Sequence, residues 1–260
     1  MLLSATRIAM ILLALAVVGL MGCARGSGGA ARTDGDRTTT ATATSAPTNA
    51  PPAAPTTFVS VPGLTDDNVR DYLVSLAFSS GVTVNTVLKW QAPISVFLYG
   101  EATAQDRAAV EATLTELQNL TGISMSLAIT PGRENMAIRF VPTADFPTYV
   151  KNLLPADRVG FNVFRSGEGI GNATIVIDSS ATPAPLTPAQ RAALVKRMIT
   201  QSLGLVYVGN NRYPDSIFYG RYVNQTSELS TLDRKVIQLF YSNRVKVGMT
   251  EAELRRALTQ

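Results

Sequence analysis

The sequence predicts an α+β fold, a mixed sheet backed by one long helix and followed by C-terminal helices. Three observations carry that expectation. Short stretches rich in β-branched and aromatic residues, such as 94–99 and 136–141, have the period of strands. Between them lie stretches with apolar residues three and four apart, the period of amphipathic helices. From residue 230 onward only the helical pattern recurs, so helices gather at one end of the chain.

In chain order, residues 1–22 read as a signal peptide, with Arg7 followed by an apolar run over 8–20 that is too short for an ordinary spanning helix. Leu20-Met21-Gly22-Cys23 resembles a bacterial lipobox, which implies that Cys23 is lipidated and becomes the mature N-terminus. A plain secretory leader with an incidental cysteine is the alternative; the placing of the only cysteine at this position favours the lipobox. Residues 23–57 are rich in Gly, Ser, Thr, Ala and Pro and have little to bury, so they read as a disordered tether. The expected location is the outer face of the cytoplasmic membrane, or the outer membrane facing the periplasm, with the lipid anchor making the membrane a partner. Ala24 in place of aspartate resembles outer-membrane sorting.

Residues 58–260 then form one domain. Thr65 caps a helix with Val69, Tyr72, Leu73 and Leu76 on one face, ending near Gly81. Residues 86–90 read as a strand, and Trp90 as core. Residues 94–99 form a strand closed by Gly100. Thr103 and Asp106 make a capping box for a helix with the stripe Val110, Leu114 and Leu117 and a stop at Gly122. Residues 123–129 and 136–141 read as strands, 145–154 as a short helix, and 159–165 and 173–177 as strands around a glycine-rich loop. Thr187-Pro188 starts the long helix, which runs to about Leu203 before Gly204. One last helix begins near Ser230 with Val236, Ile237, Phe240 and Tyr241, and another opens with a capping box from Thr250 to Glu253.

Composition narrows the chemistry. Residues 58–260 carry 19 Lys and Arg against 17 Asp and Glu, a net charge of +2, which argues against nucleic acid. The chain has no histidine and a single cysteine, so a usual catalytic zinc site and the Ser-His or Cys-His nucleophile pairs are out of reach, and no cofactor is expected. Gly167-Glu168-Gly169-Ile170-Gly171 lacks the spacing of a dinucleotide fingerprint and reads as a mobile hairpin. Glu168, Asp178, Asp215, Glu228 and Asp233 leave open a carboxylate pair of the kind that cleaves glycans, though capping and surface duty are the common fate of such residues. No serine sits in a recognisable nucleophile motif.

The segment Arg197-Met198-Ile199-Thr200-Gln201-Ser202-Leu203-Gly204-Leu205-Val206-Tyr207 resembles the active-site helix of the metzincin proteases. In that pattern two histidines four apart and a third ligand beyond a glycine bend hold zinc, and a glutamate follows the first histidine. Gly204 matches the bend. Arg197, Gln201 and Tyr207 stand at the ligand positions and Met198 at that of the glutamate. Ser216-Ile217-Phe218-Tyr219 is similar to the methionine turn of that clan, with Phe218 for methionine, and Leu229-Ser230, Asp233 and Leu239-Phe240-Tyr241 are similar to the helix that follows. The resemblance implies a zincin-like fold whose metal chemistry has been erased.

A second resemblance is to a family of bacterial lipoproteins, the domain of unknown function 2927. It rests on Leu88-Lys89-Trp90, Pro93-Ile94, Ser202-Leu203-Gly204-Leu205, Asp215-Ser216-Ile217-Phe218 and Gly248-Met249-Thr250. It implies a fold and assigns no activity. Together these readings point to a catalytically inactive, membrane-anchored envelope protein with a binding or scaffold role. The alternative is a histidine-free hydrolase acting on envelope glycan or peptide. The candidate cleft-lining residues are Gln190, Arg197, Gln201, Tyr207 and Asp215. A strip of this kind takes an envelope protein or a glycan through hydrogen bonds, or is a solvated helix edge or a buried polar plug.

Overall fold

The structure, a computed structural model, describes residues 66–78, 85–151, 153, 157–181, 184–206, 212–220 and 226–259. All belong to one compact unit, Asn49–Gln260. Cys23, the leader, the tether and Tyr207 lie outside the described residues.

The expected α+β architecture is present. The elements run α1 (Asp66–Ala77), β1 (Ile94–Gly100), α2 (Ala104–Thr121), β2 (Met125–Leu127), β3 (Met136–Val141), a 3-10 turn with α3 (Phe146–Tyr149), β4 (Val159–Ser166), β5 (Gly169–Asp178), α4 (Pro188–Ser202), α5 (Thr231–Tyr241) and α6 (Glu251–Thr259). The five strands form one sheet in the order β2-β1-β3-β5-β4. All pairings are parallel except β4 with β5. This is the succession of strand, helix, strands, helix, turn and helix expected from the sequence.

Register explains the core. Val96 faces Met136, Leu98 faces Ile138, and Ile138 faces Ile175, so alternate residues of three neighbouring strands line up on one side. Those side chains are buried together with Leu114 and Leu117 of α2, Val195, Met198 and Ile199 of α4, and Val236, Ile237 and Phe240 of α5. The opposite face is covered in part by α3, where Phe146 and Val150 bury Val176.

Local chemistry sets the helix ends. Thr103 and Asp106 bond reciprocally at the start of α2, and Gly122, in the left-handed region, sends its N–H to the Gln118 carbonyl at the end. Asp106 also accepts from Arg191 of α4, at 2.9 Å through Nε and 2.5 Å through Nη2, which ties the N-terminal turns of two helices together. Burial pushes the Asp106 carboxyl up, but the bonds from Arg191 and Thr103 outweigh it and hold the group below its ordinary range.

Three expectations need correction. Residues 86–90 do not form a strand: Val87 exchanges backbone bonds with Gly248 and Met249, the Lys89 carbonyl accepts from Ile170, and only Trp90 makes a bridge, to Ile170. The β-propensity is real, but a loop and a hairpin end lie beside it instead of a strand. The strand at 123–129 contracts to Met125–Leu127, beyond which Ile129 is exposed. The short helix at 145–154 ends at Tyr149, with Val150 already extended. The glycine-rich loop closes into a tight turn at Gly167 and Glu168 between two paired strands.

Candidate functional site

Helix α4 starts as a capping box in which the Thr187 hydroxyl accepts from the Gln190 N–H and the Gln190 side chain accepts from the Thr187 N–H. Pro188 at the first helical position has no N–H to leave unpaired. Gln190 therefore serves the helix end through its side-chain oxygen; the sequence shows it on the same edge as Arg197 but not that this oxygen is already engaged.

The other end of α4 is buried, and two aromatic side chains satisfy its last carbonyls. The Trp90 indole N–H donates to the Ser202 carbonyl at 2.9 Å, and the Tyr241 hydroxyl donates to the Leu203 carbonyl at 2.8 Å. Gly204 then turns the chain at φ +111°, and a Cβ there would stand 1.9 Å from the Leu88 carbonyl oxygen. Only glycine allows that approach.

Arg197 and Gln201 are 2% and 0% exposed. The Arg197 guanidinium donates to the carbonyl of Tyr219 at 3.1 Å and to that of Gly220 at 2.5 Å. Thus the side chain at the first ligand position holds the turn that resembles a methionine turn. That turn closes through Tyr219 N–H to the Ser216 carbonyl, with Phe218 wholly buried beneath it. Of the readings open for this strip, the buried polar plug describes Arg197 and Gln201. Asp215 lies exposed on the same turn and points its chain neighbour, not itself, into the interior.

That neighbour, Ser216, belongs to a buried relay. Ser216 donates to Asp233 at 2.5 Å, so its single proton is committed, and the Tyr72 hydroxyl at 2.6 Å must be the donor to Ser216. The Phe218 N–H also points at Ser216 Oγ. Asp233 accepts further from Ile217 N–H and from both the N–H and the hydroxyl of Ser230. Burial pushes the Asp233 carboxyl above its ordinary value, opposed by these donors. Burial likewise pushes the Tyr72 phenol far up, which keeps it a neutral donor. Ser230 was legible as the start of a helix, with Asp233 close after it. The roles of Tyr72 and Ser216 were not, because 144 residues separate them.

The remaining carboxylates are dispersed. Asp178, at the end of β5, pairs with Arg158 and accepts from Ser180 N–H at 2.7 Å. Glu168 sits in the β4–β5 turn and Glu228 is exposed before α5. Asp233 has its lone pairs engaged.

Residues 66–260 match the family described as protein of unknown function (DUF2927). The chain belongs to this family. No curated protein is significantly similar to it. Among solved structures, two of myroilysin share 14% identity with this DUF2927 chain. One has a TM-score of 0.41 and covers 72% of this chain and 98% of its own, and the other has a TM-score of 0.38 with 61% and 98%.

Arg197 and Met198 do not fit the zinc that the metzincin pattern holds. Arg197 is a permanent cation without a free lone pair, and its donors are turned to backbone carbonyls. Met198 is wholly buried in the core. Among the described residues, no three His, Cys, Asp or Glu side chains stand together as a metal-holding group.

Proposed function

We propose that the protein is a non-catalytic binding or scaffold module of the bacterial envelope, carried on a lipid at Cys23. The observation that carries this reading is the engagement of Arg197. The position where the metzincin pattern needs an imidazole holds a buried guanidinium that braces the Ser216–Gly220 turn. A scaffold of this kind keeps the helix, the glycine bend and the turn, and spends the former ligand positions on stability. The lipobox-like Leu20-Met21-Gly22-Cys23 and the low-complexity stretch to residue 57 supply the tether.

The test is metal analysis of the purified protein together with peptidase assays on unfolded protein substrates, with and without chelator. The expected result is substoichiometric zinc, no cleavage and unchanged thermal stability in chelator. Chelator-sensitive cleavage overturns the reading. For the tether, Cys23→Ser is expected to abolish incorporation of labelled palmitate and to release the protein from the membrane fraction; unchanged labelling removes Cys23 from the proposal.

A further inference from the structure

The face of the sheet turned away from α2, α4 and α5 carries a cation on its central strand. Arg139 on β3 lies level with Tyr99 on β1 and Val176 on β5, so all three side chains share that face. The guanidinium carbon stands 4.2 Å from the centre of the Tyr99 ring and 4.6 Å from that of Tyr149 in α3. At these distances both rings hold the cation through their π-systems. Tyr99 is itself fixed in place. Phe97 packs edge-to-face against it at 4.7 Å, and its hydroxyl donates to Glu134 at 2.5 Å.

No carboxylate answers this cation. Among the described residues Arg139 has neither an ion pair nor a hydrogen bond from its guanidinium, and its Nε is buried with no acceptor. Glu134, the nearest acidic residue along the chain, is turned to Tyr99 and to the Gly132 N–H at 2.6 Å. The two terminal nitrogens reach the surface, unlike Nε. What the rings leave open is thus the outer edge of the guanidinium, a planar fork of N–H groups that takes a carboxylate through two bonds. The rim beyond it is neutral. Thr174 on β5 and Asn162 on β4 stand opposite each other on the same face, both partly exposed. Their side chains and the Tyr149 hydroxyl have no hydrogen-bond partner among the described residues. One positive charge bordered by hydroxyl and amide groups matches a ligand with a single carboxylate and many hydroxyls, because a second negative charge would find no cation here.

We propose that the Arg139–Tyr99–Tyr149 cluster on the outer face of the sheet binds a carboxylated sugar of the hexuronate class, with the carboxylate on Arg139 and ring hydroxyls on Thr174, Asn162 and Tyr149. This names a ligand class for the binding role proposed above. It uses none of the residues of the Arg197 turn, so failure of sugar binding leaves the zinc and peptidase tests as they stand.

The test is calorimetric titration of the purified full chain with trigalacturonate. Maltotriose serves as the neutral sugar, acetate and inorganic phosphate as anions without sugar, and a tripeptide with a free C-terminal carboxylate as the competing class of ligand. Saturable binding of trigalacturonate is expected, at least tenfold tighter than that of any of the other four. Arg139→Lys keeps the charge and loses the fork, and is expected to weaken the affinity at least tenfold. Thr174→Glu brings a carboxylate of the protein's own to the same face and is expected to do the same; it covers the case in which Arg139→Lys fails to fold. Arg255→Ala removes a cation from the surface of α6, where its side chain is about half exposed, and is expected to leave affinity unchanged. Absence of saturation, equal binding of maltotriose, acetate or phosphate, or full affinity in either folded variant overturns the proposal. Binding of the tripeptide that depends on Arg139 and matches or exceeds that of trigalacturonate overturns the sugar as occupant.

Discussion

Arg197 and Gly204 show how single residues carry this fold. Removing the guanidinium leaves the Tyr219 and Gly220 carbonyls facing an apolar replacement inside the protein. Arg197→Met is therefore expected to cost about 1–3 kcal/mol in urea denaturation, the range for buried polar groups left unpaired. Unchanged stability in that variant would mean that the turn does not depend on Arg197. At Gly204 both the left-handed backbone and the Leu88 oxygen oppose a side chain. Gly204→Ala is expected to lose about 3 kcal/mol or more, as strain and overpacking add. A melting temperature within a few degrees of the parent would show that the bend relaxes. The glycine was readable in the sequence because it follows a helical run. The burial of Arg197 was not, since periodicity places a residue on a face and does not say which distant segment covers that face.

At the level of elements, the helices are joined by their caps as much as by their apolar faces. Asp106 completes the capping box of α2 and at the same time takes two bonds from Arg191 of α4. Asp106→Asn keeps the size, removes the charge and leaves Arg191, with a side chain 13% exposed, short of its partner. The expected loss is about 3 kcal/mol, in line with breaking a largely buried pair from one side. Double-mutant analysis with Arg191→Met is expected to recover most of that loss, and additive effects would show that the two residues act separately. Capping boxes are legible because donor and acceptor sit three residues apart, which is why the starts at Thr103 and Thr250 match the chain. Gln190 shows the limit of that legibility. A residue at the third helical position that also lies on a polar edge has two readings, and only the hydrogen bond to Thr187 shows that its oxygen serves the cap. Strand 86–90 failed for a related reason: strand propensity is local, whereas a strand exists only if another strand lies beside it.

For the molecule as a whole, buried ionisable groups of opposite tendency shape stability across pH. Asp106 and Asp178 are held below the ordinary carboxylate range in the fold, where bonds from Arg191 and Thr103 and from Ser180 and Arg158 outweigh burial. Their contribution is present above the ordinary carboxylate pKa and is lost as pH falls through the folded values. Asp233 acts in the opposite sense: with its folded value raised, its contribution is complete below the ordinary carboxylate pKa and declines as pH rises through the folded value. A third window belongs to Lys89, whose ammonium donates to the carbonyls of Phe240 in α5 and of Val245 in the loop beyond it, and which burial and Lys246 push down from 10.5 to about 8. Above about 8 the folded state gives up this proton while the unfolded chain keeps it to about 10.5, so stability is expected to rise between those values. Lys89→Met removes the titrating group, and its denaturation curves are expected to show a flatter dependence over that window than the parent. The segment 86–90 lacks a neighbouring strand, so its attachment to α5 rests on Lys89 and on the Tyr241 hydroxyl, which faces both Trp90 N–H and the Leu203 carbonyl. An identical slope in parent and variant would show that this amine titrates at its ordinary value, and that the bonds to Phe240 and Val245 offset its burial.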